Sequence, residues 1–168
     1  VSIIHYCNIN PWGDKINKKY HYKVAALAPT ILLGAHLSIA GGLSKAVNRA
    51  RTLECSALQI FTKNASTWKE RVLSVVDMTD FKTAAEKAGI VHTAAHTSYL
   101  INLASPDSGK RLKSIRALMK EIRRASQLDI PYVVMHPGAH MGGGVSEGIR
   151  RLADGIHQVF DAIPEATA

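Results

Sequence analysis

The feature that most constrains the fold is a unit of one apolar run, one polar loop and one amphipathic segment, which occurs four times from residue 31 onward. The apolar runs are Ile31 to Ala35, Ala57 to Phe61, Ile90 to Ala94 and Tyr132 to Met135. Nearly continuous apolar runs are typical of strands that are buried on both faces of a sheet. Because a helical segment separates each run from the next, we expect right-handed crossovers and predict an α/β fold with parallel strands.

The amphipathic segments predict four helices. The first two are Gly42 to Leu53 and Thr79 to Ala88, the second with Thr79 or Asp80 as its cap and Gly89 at its end. The third helix, about Ser108 to Leu128, carries one apolar stripe formed by Leu112, Ile115, Met119 and Ile122. The fourth helix carries a similar stripe formed by Val145, Ile149, Leu152, Ile156 and Val159. We interpret the basic residues of the third helix, Arg124 among them, as a solvated face.

Length and composition narrow the class of protein. With 168 residues, the chain can bury one core but is short for a complete eight-stranded α/β barrel. Its net charge of +8 favours contact with a polyanion such as nucleic acid. No apolar run approaches the roughly 18 residues needed to span a bilayer, and Cys7 and Cys55 form no metal-binding or disulfide pattern. We therefore expect a cytoplasmic protein with no membrane partner.

Two histidines, His96 and His136, stand at the ends of the last two apolar runs. Since the carboxyl ends of parallel strands are where α/β proteins present ligands and catalytic groups, these imidazoles can converge on one metal ion. Neutral imidazole is a common zinc ligand. His36 and His140 are candidates for the same pocket, although a hydrogen-bonded loop histidine is an equal alternative for His36. His92 points the same way as His96 but one layer deeper, so we expect it to be structural.

Four motifs carry a resemblance to a known family. They are Gly34-Ala-His-Leu-Ser-Ile-Ala-Gly-Gly, Leu58-Gln-Ile-Phe-Thr-Lys-Asn with Trp68 after it, His96-Thr-Ser-Tyr-Leu-Ile-Asn-Leu-Ala-Ser-Pro and His136-Pro-Gly-Ala-His. In this order and spacing, the chain from Ile31 to about Ala168 resembles the endonuclease IV type of apurinic/apyrimidinic DNA-repair endonucleases. The first thirty residues have no counterpart in that family.

The resemblance implies an eight-stranded (β/α) barrel that holds three zinc ions, binds double-stranded DNA containing abasic sites and cleaves the phosphodiester 5′ to such a site. His96 and His136 match the two histidines that bind the first zinc ion. Tyr99 and Leu100 match the pair that wedges into DNA at the lesion; without the motif, packing between strand and helix would be their default. Lys63 and Asn64 match the loop that meets the DNA backbone.

The domain prediction follows from the extent of the resemblance. We expect residues 1–30 to be an unstructured leader or a non-family extension, and residues 31–168 to be the amino-terminal half of a xylose-isomerase-like TIM barrel with its first four βα units. The family completes its metal cluster with carboxylates and histidines on the fifth to eighth strands. We therefore expect at most a partial zinc site, little or no activity of this chain alone, and self-association through the open half-barrel.

Two other functions fit parts of the pattern. A metal-dependent sugar isomerase or epimerase of the same barrel superfamily also places metal at strand ends and would act on a small polyol. An acidic rim would favour it, whereas Tyr99, Leu100, the Thr62-Lys-Asn loop and the positive charge favour the nuclease. A DNA-binding protein without activity, held by its basic surface alone, would bind DNA in a salt-dependent way with no preference for abasic sites.

Overall fold

The computed structural model of the protein describes residues 3–6 and 32–163, with only the backbone described in the first range. Strands and helices alternate along the second range. The strands are β1 Ile3–Tyr6, β2 Leu32–His36, β3 Ala57–Phe61, β4 His92–His96 and β5 Tyr132–Val134. The helices are α1 Leu43–Thr52, α2 Val75–Lys87, α3 Ser108–Gln127 and α4 Val145–Ala162.

The strands form one sheet in the order β1-β2-β3-β4-β5. β2 to β5 run parallel, and each pairs with the strand that comes next in the chain. The predicted α/β fold with four parallel strands and four helices is confirmed. The register places His36 opposite Gln59, and His96 between Phe61 and Val134. The carboxyl ends of these strands therefore meet at one edge of the sheet.

β1 lies in the segment for which we expect a leader or a non-family extension. It pairs antiparallel with β2, with Ile3 opposite Ala35 and Tyr6 opposite Leu32. The rest of that segment, residues 1–2 and 7–31, lies outside the described residues, as do residues 164–168. These four residues form a strand and are not unstructured, while the prediction for residues 1–30 as a whole stays a prediction.

Two predicted boundaries are wrong by a few residues. α2 begins at Val75 and not at Thr79, because the Ser74 hydroxyl accepts from the Asp77 amide at 3.0 Å and the Asp77 carboxylate accepts from the Ser74 amide at 3.1 Å. This reciprocal capping box satisfies amide groups that would otherwise lack partners. β4 is shifted two residues along the chain from its prediction, so that His96 is the last residue of the strand.

Two apolar clusters hold the sheet and the helices together. The first packs β2 to β4 against α1 and α2 and includes Leu43, Val47, Leu58, Ile60 and Phe81. The second joins the segment after β4 to α3 and α4 and includes Ile101, Leu103, Ile115, Leu118 and Val159. Together these clusters fix the strands and the segment after β4, from which the candidate site is built.

The predicted helix stripes are wrong at several positions. Ile115 and Val159 are buried as predicted, but exposed side chains are found at Leu112, Val145 and Ile149. Arg124, which we assigned to a solvated face, is buried because it forms ion pairs with Glu121 and Glu70. None of the helices within residues 32–163 is both long enough and apolar enough to cross a membrane.

Candidate metal and nucleic-acid site

Three histidine rings gather at the carboxyl edge of the sheet. His36 ends β2, His96 ends β4, and His136 comes two residues after β5. The ring centroids of His96 and His136 are 5.1 Å apart, and those of His36 and His96 are 5.7 Å apart. The structure thus brings together the two histidines for which metal binding is predicted, with His36 beside them.

His96 is oriented so that one ring nitrogen is available to a metal ion. The side chain is buried, and its Nδ1 lies 2.8 Å from the backbone carbonyl oxygen of Thr97. Because a carbonyl oxygen only accepts, Nδ1 donates and the lone pair of the neutral ring is on Nε2. Metal-binding histidines commonly have one ring nitrogen fixed by a backbone carbonyl in this way.

His136 is exposed and lies in the irregular segment between β5 and α4. Its ring centroid is 5.8 Å from that of Tyr99. Two imidazoles fill half of the tetrahedral shell that zinc prefers. Within the part of the chain that the structure describes, no group of three or more His, Cys, Asp or Glu side chains could hold a metal ion. His96 and His136 therefore offer zinc two imidazoles, and their role as its ligands stays a prediction.

His36 is held by its neighbours as a neutral ring. The amide nitrogen of Gln59 lies 3.0 Å from its Nδ1, and the ring of Phe61 packs against it at 4.4 Å between centroids. Burial, and to a lesser degree the nearby His96, lowers the pKa of His36. When Gln59 donates to Nδ1, the proton is on Nε2, which is buried and has no hydrogen-bond partner among the described residues. His36 can therefore offer a hydrogen bond to a group bound beside His96.

The structure packs His140 against α4. A Cβ built on Gly148 would lie 2.8 Å from the Cβ of His140, so the histidine needs a glycine opposite it on the helix. Its Nδ1 is buried and has no hydrogen-bond partner in residues 32–163. His140 therefore serves here as a packing residue of the loop after β5, and a role in the pocket stays a prediction.

Tyr99 and Leu100 form a turn directly after β4. Tyr99 is 62% exposed, although its ring contacts Phe61 and His96 at 5.3 Å and 5.5 Å between centroids. Leu100 is half-buried. The turn is anchored by Ser98, whose hydroxyl donates to the carbonyl of Ala65 at 2.6 Å. An exposed aromatic ring thus stands on a fixed base next to the histidine pair.

The two residues predicted to meet the DNA backbone differ in accessibility. Lys63 is only 3% exposed, and its Nζ donates to the carbonyl of Thr67 at 2.6 Å. Asn64 is exposed, and its Oδ1 accepts from the amide of Ser66. Lys63 therefore braces its own loop in this structure, and Asn64 is the residue of the two that faces solvent.

Sequence reasoning missed a buried polar network beneath this loop. Thr62 donates to Glu121 at 2.6 Å and accepts from Arg124 Nε at 3.0 Å, and Arg124 also pairs with Glu70 and Glu121. Thr62, Glu121 and Arg124 are all buried. The signal that could have revealed the network is Glu121 itself, the single acidic residue of the basic helix α3, placed three residues before Arg124.

A cavity of about 660 Å³ opens between the loops after β2 and β3. Its lining includes His36, Phe61, Lys63, Asn64, Arg71 and Tyr99. Of the three clustered histidines, His36 is the one that lines this cavity, together with Lys63, Asn64 and Tyr99, which are predicted to meet DNA.

Four consecutive strand–helix units, with histidines at the carboxyl ends of parallel strands, are the pattern of a (β/α) barrel protein. Residues 47–167 match the sequence model of the xylose isomerase-like TIM barrel family, and the chain belongs to that family. Within it, the chain resembles the proteins called endonuclease 4. It is 42% identical over 136 residues to the probable endonuclease 4 of Citrifermentans bemidjiense, covering 81% of this chain and 48% of that relative.

Other proteins called endonuclease 4 or endonuclease IV are similar to this chain as well. The probable endonuclease 4 of Chloroflexus aurantiacus is 46% identical over 123 residues, which cover 73% of this chain and 43% of that relative. The crystal structure of endonuclease IV from Thermus thermophilus superposes with a TM-score of 0.68 at 32% identity, covering 80% of this chain and 47% of that chain. The resemblance to the endonuclease IV family is confirmed.

A likeness to a sugar epimerase shows the fold alone. D-psicose 3-epimerase from Clostridium cellulolyticum superposes with a TM-score of 0.59 at 15% identity, covering 79% of this chain and 48% of that chain. The chain spans about half the length of the relatives it matches. The prediction of a partial TIM barrel agrees with this coverage.

Proposed function

We propose that this chain carries two ligands of the first zinc ion of a DNA-repair endonuclease, and that the whole protein cleaves the phosphodiester 5′ to abasic sites during base excision repair. The observation that carries the proposal is the arrangement of His96, His136 and Tyr99 at one strand edge, with centroids 5.1 to 5.8 Å apart. The likeness to proteins named endonuclease 4 and endonuclease IV supports the same activity.

His96 and His136 would hold the zinc ion. When bound, clustered zinc ions supply Lewis-acid chemistry, which activates water and stabilises the leaving oxygen of a phosphodiester. The Thr97 carbonyl keeps the proton of His96 on Nδ1, so that Nε2 carries the lone pair that a metal ion needs. His36, neutral because its pKa is lowered, can donate to a phosphate oxygen without adding a positive charge that would repel the metal.

Tyr99 and Leu100 would enter the duplex at the lesion. The exposed Tyr99 ring can stack on a base, and a wedge of aromatic and apolar side chains can unstack and kink DNA. Asn64 would meet the backbone on the same side, and Lys63 would follow if it left the Thr67 carbonyl. The exposed basic residues of α3 and the net charge of +8 would add attraction that does not depend on sequence.

The whole enzyme needs ligands that residues 32–163 do not supply. Since no group of three or more His, Cys, Asp or Glu side chains within residues 32–163 could hold a metal ion, we propose that the chain alone binds zinc weakly and has little or no nuclease activity. β5 is the last strand of the sheet, and exposed apolar side chains lie along it and along α4, which favours self-association. The two cysteines of the chain form no disulfide pattern, which suits the reducing cytoplasm, where we propose that the protein acts.

The experiment that tests this proposal follows the histidine rings by NMR while zinc is added to the 168-residue chain. We expect the signals of His96 and His136 to shift together, and His136→Ala to abolish the shift of His96. His92→Asn is the matched control, because His92 lies on the same strand outside the ring cluster and should leave the shifts unchanged. Shifts that survive His136→Ala would exclude a shared site.

A second measurement addresses the DNA. Binding of a fluorescent abasic duplex is expected to exceed binding of the matched intact duplex, and Tyr99→Ala is expected to remove that preference while leaving salt-dependent binding in place. Equal affinity for both duplexes would favour a DNA-binding protein held by charge alone. Cleavage of the abasic duplex that His136→Ala abolishes would contradict the proposed inactivity of the chain alone.

A further inference from the structure

The loop that carries His136 is held by a side chain from another loop, that of Asn102. Nδ2 of Asn102 donates to the carbonyl of Ala139 at 2.9 Å, and the amide of Ala139 donates to Oδ1 of Asn102 at 3.1 Å. The side-chain amide therefore pairs with a peptide group through two reciprocal hydrogen bonds, across 37 residues of sequence. We refer to this pair of bonds as the Asn102 clamp.

Asn102 stands on a rigid base. Its neighbours Ile101 and Leu103 are buried in the second apolar cluster. Its backbone amide donates at 3.0 Å to the hydroxyl of Ser114, a buried residue of α3 that donates in turn to the carbonyl of Lys110. The position of the Asn102 side chain is thus set by packing and by α3, and not by the loop it holds.

The held loop is shaped to fit Asn102. Gly138 has a φ of +91°, which favours glycine, and a Cβ built there would lie 2.1 Å from Oδ1 of Asn102. The backbone can approach the amide this closely only because the residue has no side chain. The Asn102 clamp therefore requires both the Asn102 side chain and a glycine at position 138.

Contacts on both sides of His136 fix the segment that carries it. His136 is exposed and lies in the irregular segment 135–144. On its amino-terminal side, the ladder between β4 and β5 continues to the bond from the Thr97 amide to the Val134 carbonyl at 2.9 Å. On its carboxyl-terminal side, the Asn102 clamp follows after three residues.

We propose that Asn102 is a positioning residue of the metal site, which keeps the His136 ring 5.1 Å from the His96 ring before any metal binds. This inference rests on the proposed zinc pair and adds the group that preorganises it. Asn102 also follows Tyr99 and Leu100 in the same loop, so the Asn102 clamp connects the loop of these two residues to the segment that carries His136.

The test compares Asn102→Ala with the unchanged 168-residue chain. Without metal, exchange of the Ala139 amide is expected to speed up by roughly tenfold or more, because the bond that it donates is lost. Exchange of the Thr97 amide, which bonds across the β4–β5 ladder, should not change. Zinc affinity, read from the ring signals of His96 and His136, is expected to fall by about 10- to 100-fold.

Two further variants complete the test. Gly138→Ala removes the same contact from the other side and should reproduce both effects, while Asn48→Ala, an exposed amide on α1, should reproduce neither. Unchanged zinc affinity in Asn102→Ala would overturn the proposal. Equal loss of protection at Ala139 and Thr97 would overturn it too, since it would indicate a general loss of stability.

Failure of the zinc pair can be told apart from failure of the clamp. If zinc shifts neither His96 nor His136 in the unchanged chain, the proposed function fails. In that case, nuclear Overhauser effects between the His96 and His136 rings of the metal-free chain still test the role of Asn102. Loss of these effects in Asn102→Ala supports the positioning role, and their persistence overturns it.

Discussion

The two predicted zinc ligands lie on strand ends that are held in different ways. His96 is on the enclosed side, which we define as β3, β4 and the loops after them. β4 has a partner strand on both sides, and His96 is buried. His136 is on the open side, which we define as β5, residues 135–144 and α4. There the strand has only three residues, and Tyr132 and Val134 are exposed.

The enclosed side is held by more buried contacts than the open side. On the enclosed side, the Thr62–Glu121–Arg124 network, the Lys63 ammonium and the Ser98 hydroxyl all fix loops through contacts that are fully or partly buried. On the open side, the loop that carries His136 is held by the Asn102 clamp and by the packing of His140 against Gly148 of α4. We infer that His96 is preorganised by buried contacts of the fold, whereas His136 is preorganised by the Asn102 clamp together with the packing of its own loop.

The largest effect is expected from Arg124→Met, which breaks the network of the enclosed side. The substitution leaves the Glu121 carboxylate buried without its partner, and breaking a buried pair in this way costs about 3–5 kcal/mol. The free energy of unfolding in urea measures the loss. Arg123→Met, at the preceding and exposed position of α3, is the matched control and should change stability by less than about 0.5 kcal/mol. A similar loss in both variants would contradict the role given to the network.

A smaller effect is expected from truncating one strand residue on each side. Ile60 is fully buried in β3, and Ile60→Ala should cost about 2–5 kcal/mol through lost burial and a cavity. Val134 in β5 is 39% exposed, so Val134→Ala should cost under about 1 kcal/mol. Urea unfolding of the two variants measures the contrast. Equal losses would show that the open side is as tightly packed as the enclosed side, and would contradict the difference in packing between them.

The sequence predicted the parallel strands and the helices because their signals are local and periodic. The four apolar runs fell within two residues of the strands, since each run is as long as a strand and is bounded by polar loops. The predicted helix α2 began too late, because Ser74 and Asp77 cap it through a reciprocal pair that precedes the apolar periodicity. Pattern reasoning looks for the stripe and therefore misses a first turn that is polar.

The candidate site was predicted only where chain position alone brings residues together. His96 ends β4 and His136 follows the neighbouring parallel strand β5 by two residues, so topology suffices to pair them. The Asn102 clamp joins residues 37 positions apart, and the burial of Arg124 depends on Thr62 in a distant loop. Neither contact has a periodic signal in the sequence. For the same reason, burial of Lys63 against its own loop could not be inferred from its charge.

The smallest effect is expected at the amino-terminal ends of α2 and α4, which are capped differently. α2, which connects β3 to β4, begins with the capping box, whereas α4 on the open side follows Gly144 without a side-chain cap. Hydrogen bonds from the Ser74 backbone, and then from its side chain, lower the pKa of Asp77. A carboxylate with a lowered folded-state pKa stabilises the folded chain above its unfolded pKa of about 3.9, and this contribution is lost as the pH falls through the folded value.

Asp77→Asn should therefore cost about 0.3–1 kcal/mol at neutral pH, and the difference from the unchanged chain should shrink as the pH falls through the folded-state pKa of Asp77. Urea unfolding over that pH range measures it, with amide exchange at Asp77 reporting the first turn of α2. Asp80→Asn, an exposed carboxylate of the same helix outside the capping box, is the control. If the two variants follow parallel pH curves, the cap contributes no more than any surface charge, and the two sides do not differ in how their helices begin.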